Sequence, residues 1–149
     1  KKEIKSKKYR DLKIVIVKLS NTYIDNSNIL IASLDAMKQS FNSVHKRVSQ
    51  PTESGLWLVD GPYCPSIEFK GKLKVVPVVK GDSKSIIIGL ASIIAKYYRD
   101  KLMAYYDSIY PLYGFERHKG YPTKAHLEAI EKYGPCEIHR KTFRGVIVS

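Results

Sequence analysis

Two short runs of apolar residues each lead into an Asp that stands beside a Gly, and this pattern predicts a sheet. Residues 56–59 run into Asp60, and residues 74–79 run through a Gly into Asp82. Residues 13–19 form a third run rich in Ile and Val. The apolar positions of this third run do not alternate, so we predict a strand that is buried on both faces.

Helical spacing and capping residues predict the remaining elements. They are a basic helix over about residues 1–10, a helix over 27–47 capped by Asp25, Asn26 or Ser27, a helix from Ser83 or Ser85 to about Tyr106, a loop over 111–123, and a helix over 124–133 capped by Thr123. Strands mixed with helices in this way are typical of a layered α/β architecture.

The charge of the chain favours a polyanionic partner. The 149 residues include 26 Lys and Arg against 14 Asp and Glu, which gives a net charge of +12. Such an excess is typical of proteins that bind nucleic acid. An anionic membrane surface and a compositional bias toward Lys are the alternatives. Since the sequence has no run of about 18 apolar residues, we expect no membrane span.

Cys64 and Cys136 match no zinc motif and are expected to be ordinary thiols in a reducing cytoplasm.

The two strand-end aspartates are candidate metal ligands. At the rim of a sheet Asp60 and Asp82 would repel each other, and a divalent cation between them would relieve that repulsion. Oxygen ligands suit Mg²⁺, which serves phosphoryl transfer by a metal-activated water. The alternative is that each Asp only caps a turn, since Asp-Gly is a common turn dipeptide.

The long helix predicted after Asp82 carries a face of small and basic residues. Gly89, Ser92, Lys96 and Arg99 follow one another at steps of three, four and three, which places them on one side. A phosphate backbone can approach the small residues and pair with the basic ones. In the alternative interpretation the small residues allow close helix packing and the basic residues are solvated.

A basic loop with an aromatic ring follows, over residues 117–123. An exposed Tyr121 can stack on a base or a sugar, while His118 and Lys119 meet phosphates. The alternative is that Tyr121 packs on the core. His118 is not expected to bind a metal, because no second ligand lies at a suitable spacing.

Taken together, these segments resemble the ribonuclease HII family. The motifs that carry the resemblance stand in this sequence as Leu58-Val59-Asp60-Gly61, Val79-Lys80-Gly81-Asp82-Ser83, Ala91-Ser92-Ile93-Ile94-Ala95-Lys96 with Arg99-Asp100, His118-Lys119-Gly120-Tyr121-Pro122-Thr123, Tyr133-Gly134-Pro135-Cys136 and His139-Arg140. Their order and spacing hold over nearly the whole chain.

The resemblance implies an α/β fold of the ribonuclease H-like kind, with a mixed sheet flanked by helices and a helical carboxy-terminal extension. Residues 1–149 would form the carboxy-terminal two-thirds of one ribonuclease HII domain, divided into a catalytic core over 1–108 and an extension over 109–149. The resemblance further implies an endonuclease that depends on Mg²⁺ or Mn²⁺. Its partners would be RNA–DNA hybrids, whose RNA strand it hydrolyses, and DNA with embedded ribonucleotides. We expect a monomer.

The resemblance also implies roles for single residues. Asp60 and Asp82 match the third and fourth of the family's four acidic residues. Tyr121 matches the aromatic residue that packs at the junction between a ribonucleotide and a deoxyribonucleotide. Independently of the resemblance, the residue patterns described above lead us to expect that Lys96, Arg99 and Lys119 also bind the substrate.

One part of the family pattern has no match in this chain. No Asp-Glu dipeptide occurs in the sequence, whereas the family carries its first two acids as Asp-Glu followed by a Gly-Arg-Gly turn. We therefore expect the first strands of the family fold to be absent from this chain. Because acids that act as one unit are not additive, we also expect the chain alone to have little or no nuclease activity. A non-catalytic remnant that binds RNA–DNA hybrids is the alternative.

Overall fold

The structure is a computed structural model, and it describes residues 12–47, 54–144 and 146. The described elements are α1 (Asn21–Asp25), α2 (Ile29–His45), β1 (Ser54–Asp60), β2 (Lys72–Val78), α3 (Gly81–Lys84), α4 (Ile86–Ile109), α5 (Phe115–His118) and α6 (Lys124–Tyr133). The helix predicted over residues 1–10 lies outside the described residues. None of these helices of the described residues combines the length and the apolar character that a membrane span requires.

The two strands that lead into aspartates form a parallel pair, which confirms the predicted α/β class. Leu56 lies opposite Lys74 and Asp60 lies opposite Val78. Val59, near the end of β1, is only 3% exposed. Because parallel strands bring their carboxyl ends to the same edge, Asp60 and the turn after β2 lie at one rim of the sheet.

The prediction of a strand over residues 13–19 is wrong. In the structure this segment has no regular secondary structure, and Ile14 and Ile16 are about half exposed. A run of Ile and Val forms a strand only where a neighbour pairs with its backbone, and in the described residues β1 and β2 pair only with each other. The segment instead lies along α4, where the Lys18 ammonium reaches the Tyr106 hydroxyl at 3.4 Å.

The helix predicted over 27–47 is confirmed as α2, but its capping residue is Asn28. The Asn28 side chain accepts a hydrogen bond from the Ile31 amide at 2.9 Å. Asp25, one of the predicted caps, instead accepts hydrogen bonds from the Lys141 and Thr142 amides at 2.8 and 3.0 Å. No sequence pattern predicted α1, the short helix that places Asp25 against this distant loop.

The carboxy-terminal helices agree closely with the prediction. The long helix after Asp82 is α4, which extends to Ile109 and has Ser85 at its N-cap position. Thr123 caps α6 by accepting a hydrogen bond from the His126 amide at 3.4 Å. The short helix α5 lies inside the segment predicted as a loop.

Two groups of apolar and aromatic side chains hold these elements together. One covers the sheet with aromatic rings from α2, β1 and the loop between the strands, namely Phe41, His45, Trp57 and Phe69. The other is the buried cluster of Tyr113, Phe115, Ile130 and Val146, against which Met103 and Tyr106 of α4 pack. The second cluster joins the end of α4 to α5 and α6, and so fixes the loop of residues 119–123 beside α4.

Candidate functional site

Asp60 is held at the end of β1 by the backbone of the neighbouring turn. Its carboxylate oxygen Oδ1 accepts a hydrogen bond from the Gly81 amide at 2.9 Å. A β-carbon at Gly81 would stand 2.7 Å from Ile88 Cδ1 and 3.1 Å from Asp60 Oδ1. A side chain at position 81 would therefore make the Ile88 side chain and the Asp60 carboxylate shift, and glycine avoids this in the turn that carries Asp82.

Asp82 lies in α3, the turn between β2 and the long helix. Its carboxylate accepts a hydrogen bond from the Ser83 amide at 3.0 Å. The turn begins at Lys80, whose backbone is left-handed with a φ of 55°, and the Ser83 hydroxyl donates to the Lys80 carbonyl at 2.9 Å. These contacts fix Asp82 one residue beyond the amide that binds Asp60.

Asp60 and Asp82 are both solvent-exposed, so an ion can reach each carboxylate. Within the described ranges, no group of three or more His, Cys, Asp or Glu side chains is arranged to hold a metal. Proteins often bind Mg²⁺ through one or two carboxylates together with water and substrate phosphates. The donor set of this acidic pair, two exposed carboxylates, fits that part of a magnesium site.

The predicted basic face of α4 and the predicted aromatic loop meet in one groove. A cavity of about 280 Å³ is lined by Ser92, Ala95, Lys96, Arg99, Asp100 and Tyr121. Tyr121 is 58% exposed, so its ring is available to a ligand and does not pack in the core. We call this site the α4 groove.

Arg99 connects the two walls of the α4 groove. Its guanidinium carbon lies 5.2 Å from the centre of the Tyr121 ring, and its Nη2 donates a hydrogen bond to the Lys119 carbonyl at 3.0 Å. Lys119 can turn this carbonyl toward α4 because its φ is 53°, in the left-handed region. An Arg held by a ring and a carbonyl is already oriented before a phosphate arrives.

Lys96 supplies the second cation of the groove. It pairs with Asp100 at 3.4 Å, and its side chain is 68% exposed, so the pair is weak and open to competition by a phosphate. Asp100 Oδ1 is buried and has no hydrogen-bond partner within the described chain. Lys119 does not line the cavity, and the predicted phosphate contact of its ammonium stays a prediction.

The prediction that His118 meets phosphates is wrong. Its Nε2 lies 2.7 Å from the Tyr113 carbonyl oxygen, and its Nδ1 accepts a hydrogen bond from the Gly120 amide at 3.2 Å. Both ring nitrogens therefore serve the backbone of the loop.

Sequence reasoning gave no role to two further histidines. His126 and His139 are only 4% and 7% exposed, and their Nε2 atoms lie 3.1 Å apart. Burial is the main reason that the pKa of each imidazole is lowered, and it also raises the pKa of the neighbouring Cys136 thiol. His126 lies on the apolar face of α6 and His139 belongs to the His139-Arg140 motif, but neither position indicates that the two rings meet.

Comparison with known proteins shows which family the chain is similar to. The family model described as ribonuclease HII matches residues 2–146. The chain is 45% identical over 133 residues to the ribonuclease HII of Francisella tularensis subsp. tularensis, covering 89% of this chain and 66% of that protein. It is 44% identical over 131 residues to the ribonuclease HII of the novicida subspecies, covering 88% and 65%. The chain thus spans slightly less than two thirds of the length of these relatives.

Proposed function

Since this chain belongs to the ribonuclease HII family, we propose that it carries part of the active site of a metal-dependent endonuclease. The substrates we propose are RNA–DNA hybrids, whose RNA strand is hydrolysed, and DNA with embedded ribonucleotides. The observation that carries the proposal is the α4 groove, in which two cations lie beside an exposed aromatic ring.

The acidic pair gives the proposal its chemistry. Asp60 and Asp82 would hold Mg²⁺ or Mn²⁺, which when bound supplies Lewis acidity and an activated water. The amide of Gly81 orients the Asp60 carboxylate, and the Ser83 amide orients that of Asp82. Both carboxylates are therefore fixed by backbone donors before any ion arrives, which lowers the ordering cost of binding.

The groove residues would bind and align the nucleic acid. Lys96 and Arg99 lie one helical turn apart on α4, which suits successive contacts along a phosphate backbone. Tyr121 stands opposite them, where its ring can pack on a sugar or base. The Arg99 guanidinium lies over one face of that ring, so one residue would contact both the phosphate and the ring that stacks on the substrate.

Binding of hybrids without cleavage is the second candidate function. It is favoured by the acid count, because the described residues offer two carboxylates at the sheet rim and no group of three. On this alternative the α4 groove works as proposed while turnover is missing.

Both candidates are tested with one set of substrates. The purified chain, and the same chain joined to the family's Asp-Glu and Gly-Arg-Gly segment, are each mixed with an RNA–DNA hybrid, a DNA duplex with one ribonucleotide and an all-DNA duplex, in the presence of Mg²⁺ or Mn²⁺. Cleavage by the completed chain that Asp60→Asn and Asp82→Asn abolish would support the endonuclease, and binding without cleavage by the completed chain would support the second candidate. A folded chain that binds none of the three at low salt would overturn both.

A further inference from the structure

A chain of hydrogen bonds runs through the two buried histidines to the loop of the α4 groove. The Cys136 amide lies 2.9 Å from His139 Nδ1. His139 Nε2 lies 3.1 Å from His126 Nε2, and His126 Nδ1 lies 3.0 Å from the Tyr121 carbonyl oxygen. We call these three contacts the histidine relay.

The ends of the relay fix where each proton lies. A backbone amide can only donate, so His139 Nδ1 is the acceptor and carries no proton in the neutral ring. The single proton of His139 is then on Nε2 and is donated to His126 Nε2. The proton of His126 must consequently lie on Nδ1, where it is donated to the Tyr121 carbonyl, which can only accept. Both rings are therefore neutral, in opposite tautomers.

An additional proton on either ring would break the relay. On His139 it would lie on Nδ1 and face the Cys136 amide hydrogen, and on His126 it would lie on Nε2 and face the donor of His139. The titratable groups around the rings are the His118 imidazole stacked at 4.1 Å, the Tyr113 phenol and the Cys136 thiol. Burial keeps the pKa of both imidazoles below the ordinary value for histidine, which maintains the neutral relay.

His126 also reaches the groove loop through its second face. The His118 ring stacks on His126, and its Nδ1 accepts a hydrogen bond from the Gly120 amide at 3.2 Å. The Tyr121 carbonyl, held by His126, also accepts a hydrogen bond from the Thr123 amide at 2.8 Å. The Tyr121 carbonyl is thus bonded to the buried His126 ring, and the Gly120 amide before it is bonded to the His118 ring that stacks on His126, while the Tyr121 side chain stays exposed.

We propose that His126 and His139 are positioning residues, whose relay holds the Tyr121 backbone so that its ring stands over Arg99 in the α4 groove. The contact of the Tyr121 ring with nucleic acid rests on the proposed function, whereas the positioning of that ring rests only on the three hydrogen bonds of the relay. Protonation of either imidazole would leave the bond from His126 Nδ1 to the Tyr121 carbonyl in place. It would instead set two donors against each other elsewhere in the relay, so the His126 ring would lose its anchor and shift together with the Tyr121 backbone.

Two variants of His126 separate positioning from simple stability. An Asn amide places a donor where Nδ1 stands and keeps the bond to Tyr121, whereas a Gln amide reaches the Nε2 position and keeps the bond to His139. We expect His126→Gln to weaken binding of an RNA–DNA hybrid about fivefold or more, since a stacking contact is worth at least that factor. His126→Asn should keep most of the affinity at a comparable melting temperature. Equal loss in both variants would overturn the proposal.

The dependence of nucleic-acid affinity on pH distinguishes positioning of Tyr121 from a role of the two histidines in stability alone. Protonating a histidine adds positive charge, which by itself would strengthen nucleic-acid binding. The relay predicts the opposite: the affinity of the folded chain falls as the pH drops through the imidazole pKa, and this fall is missing in Tyr121→Ala. Affinity that rises on acidification, or an identical fall in Tyr121→Ala, would overturn the proposal.

Nuclear magnetic resonance on ¹⁵N-histidine distinguishes a failed relay from a failed function. The relay requires a proton on Nε2 of His139 and on Nδ1 of His126, and any other tautomer pair overturns it. If the tautomers are as stated and the Tyr121 ring signals shift in His126→Gln but not in His126→Asn, the relay stands. If Tyr121→Ala then leaves hybrid affinity unchanged, only the proposed use of the groove has failed.

Discussion

Gly89 lies directly against the backbone of Asp82, since a β-carbon added at Gly89 would stand 2.9 Å from the Asp82 carbonyl oxygen. The contact is with backbone, which cannot turn aside as a flexible side chain can. Glycine at this position of α4 therefore sets how closely the helix approaches the turn that presents the carboxylate.

Replacing Gly89 with Ala should displace Asp82. In an unobstructed helix the change would stabilise the protein by about 1 kcal/mol, but overpacking costs about 1–3 kcal/mol. We expect Gly89→Ala to lower the free energy of unfolding by up to about 2 kcal/mol in urea titrations. It should also weaken the broadening that Mn²⁺ causes at the Asp82 amide. Ser108→Ala on the exposed end of α4 serves as control, and a more stable Gly89→Ala variant with unchanged broadening would contradict the contact.

Removing the charge of Asp60 should abolish ion binding while leaving the fold intact. Asn at this position keeps an acceptor for the Gly81 amide, which bonds Asp60 Oδ1 in the structure. We expect Asp60→Asn to melt near the wild-type temperature and to lose the Mn²⁺-dependent broadening at the sheet rim.

The wild-type chain alone should cleave hybrids far more slowly than a full-length relative, because acids that act as a unit are not additive. Turnover near the rate of that relative would refute this expectation.

The sequence predicted those elements whose signals are local. Thr123 caps α6 as expected, and the strand ends at Asp60 and before Asp82 lie within two residues of their predicted positions. The strand over residues 13–19 was mispredicted because β-branched composition reports propensity and not the presence of a pairing partner. The local pattern was satisfied there, but the described residues supply no strand to pair with.

The site was predicted residue by residue, but its assembly was not. Lys96 and Arg99 were placed on one helix face by their spacing, and Tyr121 was placed in a loop, with nothing to join them. Their meeting depends on the left-handed turn at Lys119, a backbone conformation that lysine rarely adopts and that its sequence does not indicate. His126 and His139 are 13 positions apart, and no periodicity links a helical residue to one in a turn.

The salt dependence of binding should identify the groove cations. Each phosphate neutralised by a basic residue contributes about 0.7–0.9 to the slope of log affinity against log salt. We expect Lys96→Ala and Arg99→Ala each to reduce the slope by about that amount. Arg99→Lys should keep the slope but lower the affinity, because an ammonium cannot bond the Lys119 carbonyl and support the Tyr121 ring at once. Lys38→Ala, on the exposed surface of α2, should change neither quantity.

The contact between α1 and the carboxy-terminal loop should make stability depend on acid pH. Hydrogen bonds from the Thr142 hydroxyl and the backbone amides lower the pKa of Asp25 below its ordinary value of 3.8. A group with a lowered pKa in the folded state stabilises the protein above its unfolded pKa, and loses that effect as the pH falls through the folded pKa. The melting-temperature difference between wild type and Asp25→Ala should therefore be full near neutrality and shrink only below about pH 4. A difference that is constant down to the lowest pH would show that the carboxylate charge is not involved.

Tyr121→Ala tests whether the ring senses a junction between a ribonucleotide and a deoxyribonucleotide. The ring is exposed beside Arg99, where it can pack on the sugar that follows a ribonucleotide and would be crowded by an extra hydroxyl. Stacking of this kind is worth about 1–3 kcal/mol, or roughly 5- to 150-fold. In a chain that also carries the family's Asp-Glu and Gly-Arg-Gly segment, the variant should slow cleavage at single ribonucleotides by that factor. Metal binding should be unchanged and all-RNA hybrids should be affected less. Because the side chain lies outside the buried cluster, the melting temperature should hardly move; equal loss on both substrates together with a lower melting temperature would show that Tyr121 acts through the core instead.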